Sequence, residues 1–289
     1  MHDWFRSFPK KKVDWNIDPM TQEVWLSSHP YLQRLADFHA KVATAVASIS
    51  VPCADVPIWK DYVEDFRAGI PLLHSAAAAI ELRPAETILT SLVETLTSQP
   101  LPRRTAGEIL TLAAELRGCQ DTPGRLVAWL IREGEFTSNY RGLLRYLGWT
   151  ALRRFLSPVV DGFAQWRDEE QWLRGYCPTC GSLPAMAQLV GIDLGRMRLL
   201  SCGCCSTRWR FGRTGCPFCE NKDDRRIAVV AIEGEAGLRI DYCSSCGGYL
   251  KTCSGEKDQF LMQDWTSLHL DIIARDRGLK RLAASLYEL

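Results

Sequence analysis

Apolar residues recur at steps of three and four through the first part of the chain. After Pro30, the positions Leu35, Phe38, Val42, Val46 and Ile49 mark one face of a helix. Pro52 and Pro57 break the chain, and Trp59, Tyr62, Val63, Phe66 and Ile70 mark a second helix that ends before Pro71. Ile88, Leu89, Leu92, Val93 and Leu96 predict a third, which stops before Pro100. Ile109, Leu112, Ala113 and Leu116 predict a fourth, closed by Gly118. The longest helix is expected from about Ser138 to Pro158 on Tyr140, Leu143, Leu144, Leu147 and Phe155, with Val159, Phe163 and Trp166 carrying the spacing past the proline. Proline-bounded helices in series predict a bundle.

The period then changes. PAMAQLV is followed by GIDLG and RMRLLS, and RIAVVAI by EGEAG and LRIDY. Short apolar runs around glycine-containing turns predict two hairpins. From about Lys257 helical spacing returns with Leu268, Ile272, Ile273, Leu279, Leu282 and Leu286. The expected fold class is α+β: a helical domain over residues 1–174, two tandem rubredoxin-like or zinc-ribbon units over 175–212 and 213–256, and a C-terminal helical segment over 257–289.

Cysteines mark the same division. Cys53 and Cys119 stand alone in the first 176 residues, and the other ten lie between Cys177 and Cys253. The first hairpin is flanked by Cys177-Pro-Thr-Cys180 and Cys202-Gly-Cys-Cys205, the second by Cys216-Pro-Phe-Cys219 and Cys243-Ser-Ser-Cys246. The inner cysteines are separated by 21 and 23 residues, an internal repeat with an offset of about 40. A CxxC turn can aim two sulfurs at one point, with backbone amides donating to them. Gly181 and Gly247, each just after a second cysteine, let the backbone turn back at positive φ. Two such turns at the open end of a hairpin gather four thiolates, a donor set suited to zinc or mononuclear iron. The candidate ligands are therefore Cys177, Cys180, Cys202 and Cys205 for one metal ion, and Cys216, Cys219, Cys243 and Cys246 for a second. Spacing does not choose iron over zinc, and an iron–sulfur cluster also takes four cysteines. Metal removal is expected to unfold residues 176–253 and spare the helices.

Composition narrows the function. The chain has 289 residues, 46% hydrophobic and 24% charged, normal for a globular protein with a real core. A net charge of +1 excludes a polyanion binder by bulk charge. No run approaches the roughly 18 apolar residues of a membrane span. The stretch MHDWFRSFPKKKVDW carries lysines but no apolar region after them, so neither export signal nor anchor is read. The expected location is the cytoplasm, where thiols stay reduced; this speaks against disulfides, and strand-like flanks speak against a thioredoxin-type centre. The phosphate-loop, dinucleotide, nucleophile-elbow and HExxH motifs are absent. The five histidines are scattered without a ligand-like partner at helical spacing, and core or surface roles are expected of them. Closed four-cysteine sites leave no open coordination position, so no enzyme activity is expected. Cys204 and Cys253 are left over. The simple reading makes each a passive small residue; the sharper one lets Cys204 exchange with Cys202 or Cys205.

The linking segment STRWRFGRTG sits in a basic stretch. From Arg196 to Arg226 there are eight basic residues against three acidic ones. The first reading is compensation of thiolate sites carrying a net negative charge, the second a partner surface at Arg208, Arg210 and Arg213.

In order, YCPTCGSLPAMAQL, LLSCGCCSTRWRFGRTGCPFCEN and RIDYCSSCGGYLKT after a helical region resemble the formate dehydrogenase accessory protein family FdhE. The likeness is most specific over residues 176–253. It implies a cytoplasmic assembly factor that binds the catalytic subunit of a respiratory formate dehydrogenase before export, with iron favoured at the two cysteine sites. A homodimer is kept as a further association; no membrane is expected as a partner, and nucleic acid ranks behind. Two other functions stay open. One is a double zinc ribbon that binds nucleic acid through Arg208, Trp209, Arg210 and Phe211; the other is a rubredoxin-like electron carrier.

Overall fold

A computed structural model of the chain describes residues 19–50, 53–118, 122–131, 135–191, 196–235, 237–255 and 259–287. The helical part contains α1 (Pro19–Ser28), α2 (Gln33–Ser48), α3 (Trp59–Ala68), α4 (Arg83–Thr97), α5 (Arg103–Arg117), α6 (Thr122–Leu130) and α7 (Arg141–Trp166). Five of these carry the predicted periodicities; α1 and α6 lacked a pattern long enough to announce them. Helix α4 buries Ala85, Ile88, Leu89, Leu92, Val93 and Leu96, a stripe at steps of three and four. Each large side chain so buried contributes roughly 1.5–3 kcal/mol. Helix α7 is the central element. It passes through Pro158 without ending and buries residues on all sides along its first half, from Leu144 to Leu156. Gly148 lets α6 approach it: a Cβ there would lie 2.4 Å from Leu130. Pro52, called a helix break, and Cys119 lie outside the described residues.

The second part forms one six-stranded sheet in the order β3-β2-β1-β6-β5-β4. The strands are β1 (Pro184–Val190), β2 (Met197–Cys202), β3 (Arg208–Phe211), β4 (Ile227–Ala231), β5 (Leu238–Cys243) and β6 (Tyr249–Ser254). The two predicted hairpins are β1–β2 and β4–β5, both antiparallel. The turn residues 192–195 and Ala236 lie outside the described residues. Each unit also has a third strand that the cysteine spacing did not show. Part of the linking segment is β3, which pairs with β2, and β6 pairs with β5. The two units then join through a parallel contact, Met186 to Leu189 of β1 beside Lys251 to Ser254 of β6. The repeat is thus head to tail, with the third strand of the second unit against the first strand of the first. The joint is interior, and all seven residues of β1 are buried.

Helix α8 (Leu268–Asp276) follows two short 3-10 turns and packs on the second unit with Leu270 and Ala274. The helical spacing read to Leu286 does not continue as helix. Gly278 takes φ 72°, and the Lys280 backbone instead pairs with the second unit, its amide donating to the Gly247 carbonyl at 2.8 Å.

Candidate metal centres

The four cysteine turns share one backbone geometry. In each, the amide of the first cysteine donates to the carbonyl five residues on: Cys177 to Ser182, Cys202 to Thr207, Cys216 to Asn221 and Cys243 to Gly248, at 2.8–2.9 Å. The residue after the second cysteine is left-handed every time, with φ of 70° at Gly181, 61° at Ser206, 57° at Glu220 and 73° at Gly247. Glycine accepts this freely, whereas Ser206 and Glu220 are strained by it. The shared geometry makes Cys202-Gly-Cys-Cys205 a turn of the same kind as the others. It pairs Cys202 with Cys205 and leaves Cys204 as an insert.

The structure brings the eight candidate ligands into two groups of four, each with all sulfurs within 4.8 Å of one another. In the first, Cys177 and Cys205 sulfurs lie 3.4 Å apart and Cys180 and Cys202 sulfurs 3.5 Å. In the second, Cys216–Cys246 and Cys219–Cys243 are each 3.8 Å. A tetrahedral ion with metal–sulfur bonds of about 2.3 Å needs sulfurs about 3.8 Å apart, so both sets fit a single ion. These separations are far beyond a disulfide bond, and the cysteines are free thiols. Each group can therefore hold a metal ion.

The electrostatics call for a cation. Burial raises the Cys180 and Cys202 thiols well above the ordinary thiol range. Burial also acts on Cys205, but its hydrogen bonds with the Cys177, Cys180 and Cys202 thiols and with the Thr207 hydroxyl outweigh it and hold Cys205 well below that range. In the second group burial pushes Cys216 up to about 12. At Cys243 the amides of Cys246 and Ser245 outweigh burial and bring the thiol to about 7. One sulfur in each set is thus ready to ionise, and a divalent ion supplies the charge that the others need.

The two centres differ in surroundings. All four sulfur-bearing residues of the first are buried, whereas in the second Cys219 is exposed and Cys246 half-buried. The cause is the helical bundle. A short turn between α3 and α4 pairs with the first cysteine turn: the Leu72 and Leu73 amides donate to the Pro178 and Thr179 carbonyls, both at 2.9 Å. Tyr176 reaches the Gly69 carbonyl through its hydroxyl at 2.8 Å. Cys177, Cys180, Cys202, Cys204 and Cys205 lie in the same apolar core as Phe66, Phe163 and Trp172. The second centre has thinner cover: Gly175 lies against Pro217 of its first turn, and Leu282 of the C-terminal tail crowds Gly248 of its second.

Sequence reasoning missed Arg153 of α7, whose guanidinium bonds the Gly203 and Cys204 carbonyls. Of the arginines it singled out, two already pair with side chains of the same chain. Arg208 bonds Gln188, and Arg210 pairs with Glu170 at 2.8 Å; Arg213 is exposed. Trp209, given to nucleic-acid contact in one alternative, is wholly buried and donates to the Arg174 carbonyl at 2.9 Å. It has no face free for a base. Cys253 is fully buried on β6 among Met186, Leu238 and Ile240, and Cys53 is exposed.

No family model matches the chain. It is 30% identical over 130 residues to an FdhE homolog of Aquifex aeolicus, a match that covers 43% of this chain and 46% of that protein. It is 31% identical over 228 residues to an FdhE homolog of Pseudomonas putida, covering 75% of this chain and 69% of that protein. The chain belongs to the FdhE family. The crystal structure of the FdhE protein from Pseudomonas aeruginosa superposes with a TM-score of 0.60 over 89% of this chain and 88% of that one. At 20% identity this likeness speaks for the FdhE fold alone. The chain spans less than half the length of the Aquifex relative that it matches. Among the described residues, no helix is long and apolar enough to cross a membrane.

Proposed function

We propose that this protein is a cytoplasmic accessory factor for formate dehydrogenase, binding the immature catalytic subunit before export and taking no catalytic part itself. The observation that carries the reading is FdhE family membership combined with two tetra-cysteine centres of unequal exposure. The first centre, sunk in the helical core, holds the two parts of the chain together. The second, with Cys219 at the surface, is the one that a partner can meet. Eight cysteines as ligands would consume all the local coordination capacity, which suits structure and recognition better than catalysis.

Binding should be measured between the purified chain and the catalytic subunit of a formate dehydrogenase, both immature and finished. Tighter binding to the immature form is expected. No affinity at any stage, together with active enzyme in cells lacking this protein, overturns the reading. A second reading, a one-electron carrier, is favoured by the exposed Cys219 edge of the second centre. Protein purified without air that contains zinc alone would eliminate it, because zinc has no redox chemistry.

A further inference from the structure

Away from the cysteine centres, three side chains from distant parts of the chain meet. His29 lies at the end of α1, Glu235 in the β4–β5 turn and His269 in the first turn of α8. Their ligand atoms all lie within 4.8 Å of one another. The His29 Nε2 is 2.7 Å from Glu235 Oε1, and the His269 Nε2 is 3.1 Å from the same oxygen.

The tautomer of His29 is set by its other nitrogen. Nδ1 lies 2.9 Å from the Trp25 carbonyl, which can only accept, so Nδ1 carries the hydrogen. A neutral His29 then presents the lone pair of Nε2 to a carboxylate oxygen. A metal-bound histidine commonly donates its other ring N–H to a backbone carbonyl, as His29 Nδ1 is placed to do. The Trp25 indole stacks on the His29 ring at 3.9 Å and donates to the Thr266 carbonyl at 3.1 Å, which fixes the imidazole against the C-terminal segment. Three atoms of the trio are buried without a hydrogen-bond partner: Glu235 Oε2, His269 Nδ1 and His269 Nε2, the last close to the carboxylate but not hydrogen-bonded to it. Side-chain exposures of 10–17% leave the cluster within reach of solvent.

We propose that His29, Glu235 and His269 form a third metal site, an N2O set for a divalent transition ion such as zinc. Two imidazoles and one carboxylate suit such an ion and differ in kind from the all-sulfur centres. Three protein ligands leave a position open to water or to a ligand atom from a partner. The ion ties α1, the second unit and α8 at one point.

The test uses the full chain with both cysteine centres loaded. Zinc is added, excess is removed, and bound metal is counted by elemental analysis and native mass spectrometry. Three ions per chain are expected for the natural sequence, and two for Glu235→Gln and for His269→Gln. In a separate sample that holds metal only at its cysteine centres, cobalt added in place of zinc should give a weak ligand-field spectrum without thiolate charge transfer, absent from both variants. Circular dichroism confirms that the variants fold, and His29→Gln replaces either that does not. Two ions in the natural protein and no cobalt spectrum would overturn the site and leave a metal-free histidine–carboxylate contact in its place.

Discussion

The Arg153 guanidinium of α7 donates to the Gly203 carbonyl at 2.9 Å, joining the central helix of the bundle to a turn that carries two candidate metal ligands. The same guanidinium bonds the Cys204 carbonyl. A charged donor fills the space where the turn would otherwise leave carbonyls facing the core. Hydrogen bonds from a charged group are worth about 1.5–3 kcal/mol, and an unmet buried carbonyl adds to the loss.

Arg153→Met should therefore lower stability by about 2–3 kcal/mol, read by urea unfolding. Metal should be lost from the first centre before the second, the reverse of the natural order. Equal retention at both centres would show that the helix does not support the turn.

In the natural protein the second centre should be the labile one, because Cys219 is exposed and Cys246 half-buried, while the first set is buried throughout. A chelator should empty the second centre first, and a thiol reagent should modify Cys219 first, read by mass spectrometry of the partly reacted protein. Cys180→Ser should also lower the melting temperature of the helices, since this cysteine shares their core. That departs from the expectation that the helices stand apart from metal loss.

Ser substitution at Cys204 or Cys253 should leave both centres loaded, because neither residue lies in a group of four. Elemental analysis checks this. Loss of one ion from the Cys204 variant would mean that the turn uses Cys204 as a ligand.

The strained turns offer a stabilising change. Glu220 holds φ 57° where two of the equivalent turns have glycine. Glu220→Gly should raise stability by about 0.5–1 kcal/mol, the relief of a left-handed backbone less the added freedom of the unfolded chain. Gly247→Ala should lower it by about 1–2 kcal/mol. Thermal unfolding at fixed metal loading reads both.

A buried ionic knot ties β6 to the C-terminal segment. Lys251, with no exposed surface, lies 2.6 Å from Asp264 and 2.8 Å from Asp271, and Arg281 reaches both carboxylates. Burial pushes the Asp264 carboxyl up, but the charges of Lys251 and Arg281 overcome it and hold it at about 2. A depressed folded pKa gives stability that is complete above the unfolded value near 3.8 and is lost as pH falls through about 2. About 2 kcal/mol should be lost across that window, and Asp264→Asn should flatten the acid limb of the stability curve. Lys251→Met, which leaves two carboxylates to one arginine, should cost about 3–5 kcal/mol.

The grouping of the cysteines into two sets of four was legible in the sequence because the turns that make it are local. Two residues between cysteines set one turn, and a glycine after the second reports its left-handed backbone, as at Gly181 and Gly247. The helices on Leu92 and Phe66, and the strands PAMAQLV and LRIDY, were legible for the same reason: periodicity records which face of an element is buried. It does not record against what. The parallel joint of β1 with β6, the burial of the first centre under Leu72 and Leu73, and the exposure of Cys219 all depend on which apolar surface meets which. The meeting of His29 with His269, 240 positions apart, lay beyond any spacing rule. Apolar contact is non-directional, so a sequence can mark a surface for burial without naming its partner. Only the packed chain decides that, and with it which of two chemically similar sulfur sites faces the solvent.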